Sequence, residues 1–153
     1  MTNIQVNDLI PVTEYDGGVY EQTVVADLDH EHSLSLFDGS TLLTDDDIGT
    51  TYDVALIGRM VGGQQDIDAR GIWRPTDPST EWSYMLGGTI RSVDTEGHLL
   101  NGYEVIFEFD VGSCSLLVKP DGERRAELLD GELVEGADIV VEVSRIDLVS
   151  VKR

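Results

Sequence analysis

The sequence predicts an all-β fold: a small, mostly antiparallel barrel or sandwich of about eight to ten strands, forming a single domain over residues 1–153. Three observations predict it. Apolar and polar residues alternate over most of the chain, which turns one face of a sheet to the core and the other to water. Asp-Gly pairs separate the alternating runs at turn spacing. Hydrophobic residues, 41% of the chain, are numerous enough to build a core.

The alternating runs form two similar series. The first contains short runs within 24–37, then Asp38-Gly39 and a long run at 52–61. The second contains short runs within 105–118, then Asp121-Gly122 and a long run at 137–146. Each Asp-Gly pair is typical of a tight turn. The repetition is compatible with two similar four-strand halves, but an ordinary meander of amphipathic strands has the same pattern, and we favour the meander slightly.

The segment 62–88 separates the two series, and we interpret it as a long connection or insertion. Asp77-Pro78 is a good helix start and Gly87-Gly88 a good end, so at most one short helix is predicted, near 78–86. Aromatic and apolar residues also alternate from Trp82 onwards, as they would in a strand. Both alternatives remain open at this point.

Charge is the strongest compositional signal. The chain has 30 acidic and 10 basic residues, a net charge of -20, and only two of the bases are lysines. Such a charge destabilises a compact chain by self-repulsion unless salt screens it, and at ~1 M salt the Debye length is only about 3 Å. We therefore expect a protein adapted to concentrated salt. An acidic mimic of nucleic acid that binds basic partners is the alternative, and the even spread of acids along the chain disfavours it.

No stretch approaches the ~20 apolar residues of a membrane helix, and the N-terminal residues lack the basic and apolar regions of a secretory leader. We therefore expect a cytoplasmic protein that does not contact membranes. The single cysteine, Cys114, alternates with Leu116 and Val118, which is typical of a small core residue rather than an activated thiol. No nucleophile, phosphate-binding or dinucleotide motif occurs. We thus expect no cofactor and favour a non-enzymatic role.

One pair of residues supports a competing hypothesis. His30 and His32 would lie on the same side of a strand, the arrangement that metal sites on barrels use. They would serve a metal-dependent β-barrel enzyme. The other interpretation, which we favour, is a solvated hairpin tip between Leu28 and Leu34.

The segment from residue 59 to residue 91 lacks the excess of acids found in the rest of the chain. This segment has four bases and four acids, whereas the other 120 residues have six bases and 26 acids. It also contains both tryptophans, and arginine, tryptophan, tyrosine and methionine are enriched where proteins contact partners. The predicted binding residues are Arg59, Arg70, Trp73, Arg74, Trp82, Tyr84 and Arg91.

We therefore expect a non-catalytic binding or assembly module that contacts a protein partner through 59–91. A second possibility is that the segment closes one end of the barrel and buries its tryptophans as core. The strand pattern also resembles small Greek-key barrels of the oligonucleotide-binding type, although no diagnostic motif is present. That resemblance implies single-stranded nucleic acid stacked on Trp73, Trp82 or Tyr84. The charge of -20 disfavours nucleic acid because it repels phosphates.

The charge leads to a first prediction. If the carboxylates are an adaptation to salt, the melting temperature should rise strongly from dilute buffer to molar KCl, because screening removes their repulsion. Thermal denaturation followed by circular dichroism checks this. A melting temperature independent of KCl concentration would contradict it.

Overall fold

A computed structural model describes residues 2–28, 32–65, 69–78, 80–112 and 114–153. Within these ranges the chain forms nine strands, one α-helix and one short 3-10 helix, which confirms the predicted all-β class. The strands are β1 (Thr2–Tyr15), β2 (Gly18–Leu28), β3 (His32–Asp38), β4 (Thr51–Gln65), β5 (Gly71–Trp73), β6 (Tyr84–Asp94), β7 (Ile106–Asp110), β8 (Ser115–Lys119) and β9 (Asp138–Lys152). The α-helix is α1 (Gly122–Leu129), and the 3-10 helix is Asp45–Asp47.

All nine strands belong to one mixed sheet, in the order β1-β2-β3-β9-β4-β8-β7-β6-β5. Further pairings of β1 with β4 and of β6 with β9 close this sheet into a ring. Among the strand pairings of the described residues, only β3–β9 and β4–β8 are parallel. The segment 62–88, predicted as a connection, contributes strands at both of its ends.

The pairings divide the ring into two matching four-strand halves, β1–β4 and β6–β9. Pairing β1–β2 corresponds to β6–β7, β2–β3 to β7–β8, and β1–β4 to β6–β9. The halves are interleaved, because β3 pairs with β9 of the other half and β8 pairs with β4. The similarity between the two sequence series therefore corresponds to a repeated order of strands.

The two longest strands, β4 and β9, form an antiparallel ladder at the centre of this arrangement. Ile57 of β4 is opposite Asp147 of β9. On their other sides, Ile57 is next to Leu117 of β8 and Asp147 is next to Phe37 of β3. The halves are thus arranged about the Ile57–Asp147 pair.

The barrel interior is filled by the residues that the alternation predicts. Val54, Leu56 and Met60 of β4 are buried, and Phe107 and Phe109 are completely enclosed with their rings edge to face at 5.6 Å. Edge-to-face contacts of this kind add to the free energy of burying aromatic area. Cys114 is part of the same core, as expected from its apolar neighbours.

The helix lies at a different place from the one considered in the sequence. The described residues of 78–86 form a turn followed by the start of β6, and the α-helix follows Asp121 instead. The Asp121 carboxylate accepts a hydrogen bond of 2.8 Å from the amide of Arg124, so this Asp-Gly pair is a helix start and not a hairpin loop. Among the described residues, no helix has the length and apolar composition needed to cross a membrane.

The Asp38 carboxylate, at the end of β3, likewise accepts hydrogen bonds from the backbone that follows it. This buried carboxylate accepts hydrogen bonds from the amides of Leu42 and Leu43 at 3.0 and 3.1 Å, and from the Gln22 side chain at 2.9 Å. Residues 41–43 consequently form an irregular turn after Asp38-Gly39. A buried carboxylate with three donors is well satisfied.

The close approach of strands at Gly88 generates a prediction. A Cβ atom at this position would lie 2.0 Å from the carbonyl oxygen of Asp110, so the backbone has to move to accommodate it. We expect Gly88→Ala to lower the free energy of unfolding by about 3 kcal/mol, as overpacking does.

Gly62→Ala is the matched control, because a Cβ there meets no atom within 4 Å. Its stability should stay within about 1 kcal/mol of the wild type. Urea denaturation measures both variants. Equal stability of the two would contradict the packing described for Gly88.

Candidate functional site

Two of the predicted binding residues are used for internal packing. Trp82 is half-buried, its ring packs edge to face on Phe37 at 5.7 Å, and its indole N–H donates to the Thr23 hydroxyl at 3.0 Å. Tyr84 is buried, and its hydroxyl accepts from the amide of Ser35 at 2.8 Å. These contacts hold the turn before β6 against the outside of β2 and β3.

The four predicted arginines all have partners within the chain. Arg74 stacks over the Tyr84 ring at 4.3 Å and donates to the carbonyls of Glu81 and Ser83 at 2.6 and 3.0 Å. The others form ion pairs: Arg59 with Asp147 at 2.7 Å, Arg70 with Asp138 at 3.3 Å and Arg91 with Glu108 at 3.5 Å. Arg74 therefore shapes the turn, the Arg59 and Arg91 ion pairs connect neighbouring strands, and the Arg70 ion pair connects the residue before β5 to β9.

Trp73 differs from the other aromatic residues of the segment because 38% of its surface is exposed. It lies in a row of directly opposed residues across four strands. Trp73 of β5 is opposite Met85 of β6, Met85 is opposite Glu142 of β9, and Glu142 is opposite Gly62 of β4. Opposed residues on neighbouring strands point to the same side of a sheet. We refer to Trp73, Met85, Glu142 and Gly62 as the Trp73 groove.

Glycines make the floor of this groove flat. The space beside Gly62 is open, and a cavity of about 250 Å³ lies there, lined by Gly62, Gly63, Met85, Val140 and Glu142. A Cβ atom at Gly87 would lie 2.0 Å from the Ala69 carbonyl oxygen and 3.1 Å from the edge of the Trp73 ring, so the chain itself covers that glycine. Glycine within a strand commonly marks a place where another chain or ligand approaches the backbone closely.

Gly63 has a structural role beside the groove. A Cβ atom there would lie 2.9 Å from the carbonyl oxygen of Val140, and the ladder is irregular just before it, between Met60 and Gly62. The Gly63 carbonyl accepts a hydrogen bond of 2.6 Å from the Arg124 guanidinium. Helix α1 is thereby tied to β4 next to the groove. The groove offers an aromatic wall, a flexible thioether and one carboxylate, which suits an apolar side chain with a nearby hydrogen-bond donor.

A second cavity, of about 320 Å³, lies beside β4 and β8 next to Leu99 and Leu100. Its polar groups are Glu108, Ser115 and Ser150. Arg91 donates to both Glu108 and Ser115, at 3.5 and 3.2 Å. The Glu108 carboxylate is therefore held by an arginine.

The metal hypothesis falls partly outside the described residues, because His30 belongs to the part that is not described. His32 begins β3, is half-buried and lies opposite Leu28. Within the described ranges, no group of three or more histidine, cysteine, aspartate or glutamate residues is placed to hold a metal ion. Metal binding by His30 and His32 stays a prediction.

A charged cluster ties the C-terminal end of the sheet to the turn between β3 and β4. The Asp47 carboxylate accepts hydrogen bonds from the Arg153 guanidinium at 3.0 and 3.2 Å, from the amide of Thr44 at 2.8 Å and from the Tyr52 hydroxyl. Arg153 also donates to the Leu42 carbonyl at 2.7 Å. The Arg153 hydrogen bonds are the main reason that the pKa of Asp47 lies well below its usual range. The hydrogen bond to Asp47 in turn raises the pKa of Tyr52.

No family model matches the chain, and no curated protein or solved structure is significantly similar to it. The groove contains residues that the sequence did not single out, namely Gly62, Met85 and Glu142. The Gly62-Gly63 pair inside a long alternating run was the available signal, because glycine weakens a strand unless something requires it.

The Asp47 cluster predicts a dependence of stability on pH. At pH 7, Asp47→Asn should lower the free energy of unfolding by about 1–2 kcal/mol, a modest value because Arg153 is half exposed and solvent screens its charge. The folded-state pKa of Asp47 is below the unfolded value of about 3.9, so its contribution is complete above that value and is lost as the pH falls below it.

The stability difference between wild type and Asp47→Asn should therefore narrow between about pH 5 and pH 2. Urea denaturation at a series of pH values measures it. Asp46→Asn, which changes an exposed neighbour, is the control and should have little effect at pH 7. If the free energies of unfolding of wild type and Asp47→Asn differ by the same amount down to pH 2, the lowered pKa of Asp47 in the folded state would be contradicted.

Proposed function

We propose that the protein is a non-catalytic binding module that contacts a protein partner through the Trp73 groove. The observation that supports this most directly is that the exposed Trp73 is paired across the sheet with Met85, which lines the cavity at Gly62. Tryptophan is the residue type most enriched in the energetic centres of protein interfaces. Met85 provides an adaptable apolar contact next to it. The partner would insert an apolar side chain between Trp73 and Met85.

The charge distribution supports the same location. The groove lies largely within the segment 59–91, in which acids and bases balance, and Arg70 and Asp138 form an ion pair nearby. A partner docking there meets few unpaired carboxylates, so little charged surface loses its hydration. We infer that the acids elsewhere form a hydrated exterior suited to concentrated salt. Exposed Asp45 and Asp46, beside the paired Asp47, are examples.

The alternatives have less support from the described residues. Stacking of nucleic-acid bases would depend on Trp73 alone, because Tyr84 is buried and Trp82 is packed on Phe37. Phosphates would also approach a chain of net charge -20. The enzyme hypothesis depends on His30 and His32, and His30 lies outside the described residues. A protein partner at the groove is therefore the function that we put forward.

Two variants test the groove in different ways. Trp73→Ala removes its wall, and Gly62→Leu fills its open side, where no atom lies within 4 Å of a Cβ. In affinity capture from a cell extract in molar KCl, both should lose a protein that the wild type retains. Both should melt close to the wild type, because Trp73 is partly exposed and Gly62 faces open space.

Trp82→Ala and Leu99→Ala are the matched controls. Trp82→Ala should lower the free energy of unfolding by about 2–3 kcal/mol, because it removes the Phe37 contact and the hydrogen bond to Thr23. Leu99→Ala, an exposed apolar change outside the groove, should retain the partner. Retention of the same proteins by wild type, Trp73→Ala and Gly62→Leu would refute the proposal.

A further inference from the structure

The first hairpin of the chain extends beyond the closed part of the sheet. β1 pairs with β4 only over Thr2–Gln5, and β2 pairs with β3 only from Gln22 onward. The remaining part of the hairpin, residues 8–21, is two-stranded, and we call it the ribbon. No strand within the described ranges pairs with either of its outer edges. Isolated two-stranded hairpins are only marginally stable in water. A ribbon without further strands at its edges therefore calls for a functional explanation.

The ribbon carries a group of exposed apolar side chains. The exposed fractions are 49% for Ile10, 44% for Val12, 72% for Tyr15 and 55% for Tyr20. The two tyrosine rings lie against each other with centroids 6.4 Å apart. Such residues clustered on one projecting element indicate a contact surface.

The geometry of the ribbon is well defined. Asp16 and Gly17 both have positive φ, 51° and 79°, and connect the directly paired Tyr15 and Gly18. Positive φ at both central residues is typical of the two-residue type I′ turn, which Asp-Gly favours. The tip is therefore a regular hairpin turn that holds the tyrosines at its base.

The edges of the ribbon are unsuited to pairing with another strand. Pro11 lacks an amide proton, and the β1–β2 register shifts at three places between Val6 and Glu14. Proline and bulges on an exposed strand are known protections against edge-to-edge association. The contact must therefore use side chains rather than backbone hydrogen bonds.

The charge of the ribbon indicates which kind of partner its exposed side chains would contact. Residues 7–22 contain Asp8, Glu14, Asp16 and Glu21 and no lysine, arginine or histidine. A second copy of the chain, an anionic lipid surface or a nucleic acid would each bring further negative charge to this surface. A basic protein surface instead places cations against the carboxylates and its apolar residues against the tyrosines.

We propose that the ribbon is a docking arm for a basic protein segment, with cationic side chains at Glu14, Asp16 and Glu21 and apolar side chains at Tyr15 and Tyr20. This surface is separate from the Trp73 groove and goes beyond the function proposed for it. The double variant Tyr15→Ser/Tyr20→Ser tests it, because it removes apolar contact and leaves the net charge at -20.

The probe is a fluorescent synthetic peptide of twelve residues that alternates arginine and valine, with an alternating glutamate and valine peptide for comparison. Fluorescence anisotropy at the lowest KCl concentration at which circular dichroism shows the wild type and the variants to be folded should show binding of the arginine peptide only. Tyr15→Ser/Tyr20→Ser should bind it about tenfold more weakly, the loss expected from removing one or two central interface contacts. Leu129→Ser/Val134→Ser, which changes two apolar residues of similar exposure elsewhere, should bind within about twofold of the wild type.

Equal weakening in both double variants, or no weakening in either, would mean general attraction to an acidic protein and would overturn the inference. So would a dimer in analytical ultracentrifugation that Tyr15→Ser/Tyr20→Ser abolishes, since a second copy would then cover the ribbon. Tyrosine-dependent sedimentation with phosphatidylcholine–phosphatidylglycerol vesicles would overturn it in favour of lipid. Trp73→Ala should leave peptide binding unchanged, so failure at the ribbon is distinguishable from failure at the groove.

Discussion

The antiparallel pairing of β4 with β9 is the constraint on which the rest of the sheet depends. Each of these strands also pairs with two others, so the ladder connects both halves. Asp147 lies near its middle, almost fully buried, with Arg59 of β4 and Arg145 of β9 both at 2.7 Å. Arg145 also stacks over Phe37 at 4.2 Å. A slip of one residue would turn the Asp147 carboxylate to the apolar interior, so the charged group favours a single register.

The two surfaces discussed above arise where the matching halves differ. After β6, the chain turns back so that Leu99 and Leu100 lie beside the outside of β4 and β8. In the other half, the corresponding hairpin of β1 and β2 projects outward as the ribbon. Strand β5 has no counterpart in the first half, and it brings Trp73 to the edge of the sheet. Local departures from the repeated strand order thus supply the exposed aromatic residues, while the common order supplies the closed core.

The fold class could be predicted because alternation and turn residues are local signals. The same local signals indicated the burial of Cys114, and they suggested two similar halves without distinguishing them from an ordinary meander. The helix after Asp121 was missed because an Asp-Gly pair suits both a tight turn and a helix start. Both interpretations agree with the local sequence, and only the residues packed against 122–129 distinguish them.

The candidate site was only partly predictable, because exposure depends on partners distant in sequence. Trp73 and Trp82 both belong to the segment 59–91, in which acids and bases balance. Their difference comes from Phe37 and Thr23, which cover Trp82, and from the end of the sheet, which leaves Trp73 exposed. The ribbon could not be predicted either, because the alternation in β1 and β2 does not show where their pairing with β4 and β3 ends.

The interleaving of the halves also affects how the chain can fold during synthesis. β3 finds its outer neighbour in β9, which is synthesised after the other eight described strands, so the N-terminal half has to wait with one sheet edge unpaired. Most strand pairings between the halves join residues far apart in the sequence, and such contacts form slowly because long loops must close first. In dilute salt, the net charge of -20 would repel nascent chains from one another during that interval, whereas molar salt would screen that repulsion and leave the unpaired edge of β3 accessible to other chains.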